Sequence, residues 1–309
     1  MFNLDYMSII WSAAPTPLLQ DGTLDEASIR RLAEHHYRLG VRGVFIGGTS
    51  GEGPYLPQKM RHRLAAATVK AHEGRMATAI QITDNSAERM IDNLRYYADT
   101  GIDMAVIAPP FVSIHASQDY LFDMYARVIE ASPVPIGLYH HGTKSTVPVL
   151  KETIVRLARL EKVLTLKDSA GTPEDTAAIL GVRDALRGKK HFFAYSGNEF
   201  DCIGAAQAGY DGMMIGGACF NAAIARKIFL AARSGNLDEA RNLQERLNRL
   251  MYDVFGGPKI ECWLAGEKQL MVELGVFTSN YCVINYRLNP ECYSALKAAL
   301  LREKEYLDC

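Results

Sequence analysis

Long apolar runs, clusters of basic residues and closely spaced cysteines are all missing from this sequence of 309 residues. Without a stretch of about 18 apolar residues, no transmembrane helix is predicted. The 34 Lys and Arg residues balance 35 Asp and Glu residues, for a net charge of −1, which argues against binding to nucleic acid or to a membrane surface. The six cysteines form no C-x-x-C pair, so we expect reduced thiols in a cytosol-like compartment.

The composition is that of an ordinary globular protein, with 48% hydrophobic and 22% charged residues. A chain of this length buries roughly 75% of its extended surface, so it can fold without a disulfide or a structural metal. The first residues include Asp5 and no basic segment. We therefore expect no secretory signal and a cytoplasmic location.

Short apolar runs alternate with amphipathic stretches along most of the chain. The predicted strands cover residues 8–14, 43–47, 76–82, 104–108, 135–139, 163–167, 191–195 and 212–215. The predicted helices that follow them cover 25–39, 57–72, 86–99, 117–130, 149–160, 172–186, 199–208 and 221–234. Three further helices are predicted at 237–255, 259–274 and 290–307.

Eight strand–helix units of this size predict an α/β fold, a (β/α)₈ TIM barrel. The open doubly wound sheet is the alternative, but no G-x-G-x-x-G motif follows the first strand. We predict a catalytic barrel domain over residues 1–235. Residues 236–309 are predicted to form an appended C-terminal layer of helices.

Lys167 ends the sixth predicted strand, and the chemistry of such barrels lies at the carboxyl ends of the strands. The barrel wall should place its amine in a partly desolvated mouth. Desolvation favours a neutral amine, which can attack a ketone and form a Schiff base. The alternative is a lysine that extends to solvent or pairs with Asp168.

Two other strand ends carry polar groups that suit the same chemistry. Tyr139 ends the fifth strand and could pass a proton to the space around Lys167, although a core aromatic is the alternative. Thr49 and Ser50 follow Gly48 in a glycine-rich turn. Such turns present backbone N–H groups and hydroxyls to a carboxylate, although a simple tight turn is the alternative. Together these residues suit a 2-oxo acid.

These residues resemble the dihydrodipicolinate synthase / N-acetylneuraminate lyase family. The segment GTSGE at 48–52 resembles the family's Gly-Thr-Thr-Gly-Glu signature. The pair LY at 138–139 resembles its fifth-strand tyrosine motif, and LKDSAG at 166–171 resembles its Schiff-base lysine segment. The resemblance implies a homotetramer or homodimer that forms an imine between Lys167 and pyruvate or another 2-oxo acid, without a cofactor. It implies that Tyr139 relays protons, and that Thr49 and Ser50 hold the carboxylate.

The sequence also departs from the pattern of the family's synthases. They commonly follow the tyrosine with Asn-x-Pro and hold the second substrate's carboxylate with an arginine. Here His140 and His141 follow the tyrosine, and Lys144 stands at the arginine position, where it offers a point charge and not a bidentate fork. Phe111 stands where the synthases send a tyrosine into the neighbouring subunit's site. We expect one of the two histidines to face the site, where it could bind a substrate hydroxyl or act as a base.

Five other positions complete the sequence-based expectations. Ser196 at the end of the seventh strand and Gly216 after the eighth are expected to line the substrate pocket. Glu52 is interpreted as a structural hydrogen-bond anchor. His35 and His36, on an outer helix, are predicted to be solvated.

The sequence therefore predicts a metal-independent lyase of the class I aldolase type, acting through Lys167 on pyruvate or on a sugar-derived 2-oxo acid. One alternative is a dihydrodipicolinate synthase that condenses pyruvate with aspartate semialdehyde. Another is a barrel that binds an oxo acid without catalysis. A metal-dependent aldolase is disfavoured, because the sequence contains no His, Asp and Glu cluster with a ligand spacing.

Overall fold

The described part of the chain forms a closed barrel of eight parallel strands with helices around it. The computed structural model describes residues 3–7, 9–114, 117–284 and 286–307. The strands are β1 (Ile10–Ala13), β2 (Gly43–Ile46), β3 (Ala77–Gln81), β4 (Met104–Ile107), β5 (Ile136–His140), β6 (Val163–Asp168), β7 (Phe193–Ser196) and β8 (Gly212–Ile215). Each strand pairs with the next one along the chain, and β8 pairs with β1. The predicted (β/α)₈ barrel is confirmed.

Helices follow all eight strands, and more helices complete the chain. The barrel helices are α1 (Glu26–Arg38), α2 (Gln58–His72), α3 (Ala87–Tyr96), α4 (Gln118–Ala131), α5 (Lys151–Ala158), α6 (Pro173–Leu186), α7 (Cys202–Ala208) and α8 (Ala218–Arg233). The C-terminal helices are α9 (Leu237–Phe255), α10 (Trp263–Glu273), α11 (Pro290–Arg302) and α12 (Lys304–Leu307). Short 3₁₀ helices cover Leu4–Tyr6, Gly53–Tyr55, Gly142–Lys144 and Glu199–Asp201.

Polar caps set the start of several barrel helices. The side chain of Asp25 accepts a hydrogen bond from the N–H of Ser28, at 3.0 Å. Ser86, Ser117 and Thr172 cap α3, α4 and α6 in the same way, each accepting from the N–H three residues further on. These side chains satisfy N–H groups that the first helical turn leaves without partners, so the sequence fixes where the helices begin.

A change of register between β5 and β6 decides which way the end of β6 faces. After the first pair, β6 has one extra residue. Val163 and Leu166 both pack in the outer core, between the barrel and its helices. Strict alternation would place residues three apart on opposite faces. The extra residue therefore turns Lys167 into the barrel, where Tyr139 is its partner in the register.

The C-terminal helices pack on the barrel as a layer, with α9 against α8. The predicted limit between regions 1–235 and 236–309 falls in the turn that joins these two helices, and the division of the chain into these two regions stays a prediction. The predicted helix at 259–274 begins late, at Trp263, because Gly256, Gly257 and Ile260 all have positive φ angles.

His35 and His36 contradict the prediction of a solvated pair, since they are 2% and 1% exposed. His36 lies on the same face of α1 as Ile29 and Leu32, at helical spacing, and this face packs inward. The prediction was wrong because it considered only that the two histidines belong to an outer helix, and not which face of that helix they occupy.

Two other features bear on the sequence analysis. In the part of the chain that the structure describes, no helix is both long and apolar enough to cross a membrane. The cysteines in that part are free thiols, at positions 202, 219, 262, 282 and 292. Cys309 lies outside the described residues.

Candidate active site

Lys167 and Tyr139 lie side by side at the carboxyl end of the barrel, on the paired strands β6 and β5. They are 6% and 8% exposed, so both are buried in the mouth. The Nζ atom of Lys167 lies 4.4 Å from the centre of the Tyr139 ring and 5.9 Å from that of Phe45. Asp168 faces away, where its carboxylate accepts hydrogen bonds from the hydroxyl of Tyr210 and the N–H of Ala170.

The Tyr139 phenol is surrounded by groups that favour its ionised form. Burial alone would raise its pKa. The charge of Lys167 and hydrogen bonding with the side chains of Ser169, Lys167 and Thr49 outweigh burial, and they hold the pKa below its ordinary value. A phenol in these surroundings is suited to accept and return a proton beside the amine.

The segment between β2 and the following 3₁₀ helix is a tight glycine-rich turn (residues 47–53), called here the glycine turn. A Cβ on Gly53 would lie 1.8 Å from the carbonyl oxygen of Gly47, so the backbone approach requires glycine. A Cβ on Gly48 would lie 2.8 Å from the Phe45 ring. The hydroxyl of Thr16 donates a 2.6 Å hydrogen bond to the carbonyl of Gly51. The turn is therefore fixed by packing on several sides.

The hydroxyls of the glycine turn lie at the edge of the mouth. Ser50 is 7% exposed, whereas Thr49 is exposed and interacts with the Tyr139 hydroxyl. Ser50 Oγ lies 3.0 Å from the point where a Cβ on Gly216 would stand. The structure thus brings Thr49, Ser50 and Gly216 to the same opening as Lys167.

The end of β7 packs directly against the stem of Lys167. A Cβ on Gly197 would lie 2.2 Å from Ser169 Oγ and 3.1 Å from Lys167 Cε. Ser196, just before it, is 7% exposed and accepts a hydrogen bond of 3.2 Å from the N–H of Asn198. These close contacts restrict the positions that the amine can adopt.

The two consecutive histidines face different surroundings. The His141 ring meets the Tyr139 ring edge-on, with 4.1 Å between the centres. Burial and the nearby charges of Lys167, His140 and Lys144 lower the pKa of His141 to about 4, which leaves the ring neutral at pH 7. His140 is fully buried, and its Nε2 lies 2.9 Å from a carboxylate oxygen of Asp175 in α6. The geometry brings His141 to Tyr139 and turns His140 towards the helix layer.

Lys144 lies at the rim, where its Nζ donates a 3.1 Å hydrogen bond to the carbonyl of Ser169. A cavity of about 500 Å³ opens beside it, between α6 and α7. The polar residues that line this cavity include Lys144, Ser169, Thr172, Thr176, Ser196, Asn198 and Asp201. The space beyond Ser169 is therefore large, and its wall carries many polar side chains.

Glu199 is a site residue that the sequence analysis missed. Its Oε2 accepts hydrogen bonds from the Gly217 N–H at 3.0 Å and from the Asn221 amide at 2.9 Å. Its Oε1 lies 3.8 Å from the Cβ position of Gly216, next to Ser50. Burial raises the pKa of this carboxyl, and the two hydrogen bonds and the charge of Lys167 offset the rise only in part. The signal was a carboxylate just after a predicted strand end, three residues beyond Ser196.

Metal ligation finds little support in the side chains. Among the residues that the structure describes, no group of three or more His, Cys, Asp or Glu side chains could hold a metal ion. The candidate site is instead an amine, a phenol, a neutral imidazole and a carboxyl around one opening.

The fold and the site define a class of (β/α)₈ barrels with a lysine and a tyrosine paired at the ends of the fifth and sixth strands. The chain belongs to the dihydrodipicolinate synthetase family, whose model matches residues 7–289. The 4-hydroxy-tetrahydrodipicolinate synthase of Nitrosomonas eutropha is 24% identical over 302 residues, which is 98% of each chain.

Solved structures agree with this assignment. Dihydrodipicolinate synthase from Bacteroides thetaiotaomicron is 28% identical, with a TM-score of 0.83 over 96% of this chain and 98% of that one. A prophage protein of the dihydrodipicolinic acid synthase family from E. coli K12, solved with pyruvate, is 21% identical, with a TM-score of 0.82 over 96% and 98% of the two chains. At 21% identity, this second likeness concerns the fold alone.

Proposed function

We propose that this protein is a class I lyase that forms a Schiff base between Lys167 and pyruvate or another 2-oxo acid. The observation that carries the proposal is the 4.4 Å approach of Lys167 Nζ to the Tyr139 ring, in a buried mouth beside the glycine turn. Membership of the family supports the lyase class. The E. coli prophage protein, which shares the fold, was solved with pyruvate, so pyruvate is the first 2-oxo acid to test.

The first steps of the proposed reaction build the imine. The neutral amine of Lys167 attacks C2 of the oxo acid, and the electrons of the carbonyl bond move to oxygen. Tyr139 delivers a proton to that oxygen and takes one from the attached nitrogen, which gives a carbinolamine. Tyr139 then protonates the hydroxyl, and water leaves as the nitrogen lone pair forms the C=N bond of the protonated imine. Meanwhile Thr49, Ser50 and the glycine turn hold the substrate carboxylate.

The protonated imine then accepts electrons from a bond at C3. In aldol cleavage, a base removes the C4 hydroxyl proton, the C3–C4 bond breaks and an aldehyde leaves, which gives an enamine. In dehydration, a base removes a C3 proton, and the enamine expels the C4 hydroxyl as water. Tyr139, whose surroundings lower its pKa, is suited to be that base. His141, neutral at pH 7 and adjacent to Tyr139, is suited to hydrogen-bond the substrate hydroxyl. After aldol cleavage, the enamine takes up a proton at C3 and becomes the imine of pyruvate. In both reactions, water then hydrolyses the imine, which releases the 2-oxo acid product and returns Lys167.

Borohydride trapping tests the proposal. Incubation with pyruvate and borohydride should reduce the imine to a stable secondary amine, which peptide mass spectrometry should locate on Lys167. Lys167→Ala should give no adduct, whereas the exposed Lys144→Ala should still be labelled. Absence of labelling in the unchanged protein, or equal labelling in Lys167→Ala, would contradict the mechanism.

A sugar-derived 3-deoxy-2-oxo acid is the substrate class we propose. The cavity beside Lys144 is lined by hydroxyl, amide and carboxylate groups, which suit the hydroxyls of such a substrate better than an aromatic group. A panel of 2-oxo acids should be screened, with pyruvate release and water elimination measured separately. Preference for aromatic or short aliphatic substrates would contradict this choice.

A dihydrodipicolinate synthase activity is the second candidate, favoured by the name of the Nitrosomonas eutropha relative. It requires condensation of pyruvate with aspartate semialdehyde, which a coupled assay detects. Lys144 offers one point charge for the second carboxylate, so we expect weak or no condensation. Imine formation without turnover of any substrate would instead favour a barrel that binds an oxo acid without catalysis.

Metal independence and a cytoplasmic location are further parts of the proposal. Excess chelator should leave turnover unchanged, and a loss that is restored by added metal would contradict metal independence. The free thiols of the described cysteines suit a reducing compartment.

We also propose a homotetramer or homodimer. The loop after β4 exposes Phe111, Val112 and Ile114, which are 40%, 60% and 91% accessible in the single chain. Contiguous apolar side chains of this kind are typical of interfaces. Light scattering should give the mass of a dimer or tetramer, and Ile114→Glu should lower it. A monomer at every concentration would contradict the proposal.

A further inference from the structure

Glu52 lies inside the glycine turn, but its side chain is directed away from the mouth. It is fully buried, and its backbone has the left-handed φ of 55° that favours glycine. Its N–H donates a 3.1 Å hydrogen bond to the carbonyl of Thr49. The conformation of Glu52 and the position of the Thr49–Ser50 hydroxyls are therefore linked through two peptide units.

Both oxygens of the Glu52 carboxylate bind the C-terminal region. Oε1 accepts hydrogen bonds from the N–H groups of Val283 at 2.6 Å and Ile284 at 3.1 Å. Oε2 accepts a hydrogen bond from Nζ of Lys268 in α10, and Lys268 also donates to the carbonyl of Tyr281 at 2.8 Å. One buried ion pair thus holds α10, the segment after it and the glycine turn together.

The positive charge of Lys268 is balanced by the carboxylate of Glu52. Lys268 is fully buried, and so is the neighbouring Glu267. Burial raises the pKa of Glu267 to about 8, so its carboxyl is mostly uncharged at neutral pH. Glu52 is left as the charged partner of Lys268, and loss of either member leaves an uncompensated buried charge.

We propose that Glu52 and Lys268 are positioning residues, through which the C-terminal helices set the affinity of the glycine turn for the substrate carboxylate. Neither side chain touches the substrate. The inference rests on the proposed function, since it takes the turn to be the carboxylate site. It gives the C-terminal layer a part in substrate binding as well as in stability.

The test compares a charged and an uncharged ketone. Trapping by borohydride is measured against the concentration of pyruvate and of pyruvamide, which lacks the carboxylate. In Lys268→Met, the half-saturating concentration of pyruvate should rise by between about tenfold and 10²-fold, as expected for groups displaced by about 1 Å. The limiting trapping rate and the response to pyruvamide should stay near those of the unchanged protein, because Lys167 is untouched.

Arg31→Ala is the matched control. Arg31 in α1 holds the same C-terminal segment by hydrogen bonds to the Val276 carbonyl at 2.9 Å and the Thr278 hydroxyl at 3.0 Å, away from the glycine turn. We expect a lower melting temperature with an unchanged half-saturating concentration of pyruvate. If Lys268→Met unfolds, the double variant E52Q/K268M, which has no unpaired buried charge, is judged by the same criterion.

The outcomes separate the two levels of the argument. A variant at Lys268 that melts earlier but binds pyruvate and pyruvamide in the unchanged ratio overturns the positioning role and leaves the proposed function standing. An unchanged protein that traps no 2-oxo acid at all overturns the proposed function, and the positioning role with it. A selective loss of pyruvate affinity supports both.

Discussion

At the scale of single residues, the amine at position 167 shows what a sequence can and cannot predict. The end of an apolar run predicted its place at the barrel mouth. Its direction depends on the extra residue in β6, without which Lys167 would face the helices. A one-residue change of register reverses the faces of a strand, and no local pattern in residues 163–168 marks where it occurs.

The Tyr139 hydroxyl gives the most direct kinetic prediction. Tyr139→Phe removes the proton carrier but keeps the ring against Lys167. Turnover should fall by about 10²- to 10⁴-fold, the usual contribution of a general acid–base group. Stopped-flow measurement of imine formation and of product release would show which step slows. Equal rates in the variant and the unchanged protein would exclude Tyr139 as the relay.

Glu199 should make the activity depend on pH. Burial raises the pKa of its carboxyl, so the carboxyl is neutral below that pKa and negative above it. A negative charge beside Ser50 repels a substrate carboxylate, and kcat/KM should therefore fall as pH rises through the pKa. Glu199→Gln stays neutral, and its profile should lack this decline. An identical decline in the variant would assign the effect to another group.

At the scale of elements, the contact between β6 and β7 sets the precision of the site. Gly197→Ala adds a methyl group 2.2 Å from Ser169 Oγ and 3.1 Å from the Asp168 carbonyl. The strands must separate, and the trapping rate should fall by about 10²-fold for a shift of ~1 Å at Lys167. Gly181→Ala in α6 is the control, because nothing lies within 4 Å of its added methyl. That control should trap normally and gain about 0.5–1 kcal/mol of stability.

The packing of α1 on α2 should make the protein sensitive to acid. Burial lowers the pKa of His72 to about 4, and it also lowers that of His36, against 6.5 for an exposed histidine. Between these values the unfolded chain binds the proton and the folded chain does not, so stability falls as pH drops from 6.5 towards 4. For His72 alone the loss at pH 5 is about 2 kcal/mol.

Urea unfolding at pH 7.5 and at pH 5 would measure this loss. His72→Gln should lose about 2 kcal/mol less than the unchanged protein between the two pH values. The exposed His191→Gln serves as the control and should behave like the unchanged protein. The same pH dependence in all three proteins would show that His72 is not the group responsible.

At the scale of the whole molecule, local patterns were sufficient for the architecture. Eight alternations of strand and helix predicted the barrel, and the helix at 237–255 has the predicted bounds. The link between Glu52 and Lys268 could not be predicted, because it joins residues 216 positions apart in the chain. Glu199 could have been predicted from its place three residues after Ser196. The separate surroundings of His140 and His141 could not, because they depend on the packing of α6.

The distance along the chain between Glu52 and Lys268 also has a consequence for biosynthesis. At the usual pace of a ribosome, the lysine emerges about 10–40 s after the glutamate. Until then the glutamate lacks its cation, although all eight strands precede α10 in the chain. A growing or truncated chain would thus assemble most of its barrel before its glycine turn was ordered for binding oxo acids. Affinity for the carboxylate of an oxo acid would therefore arise late, in nearly finished polypeptides.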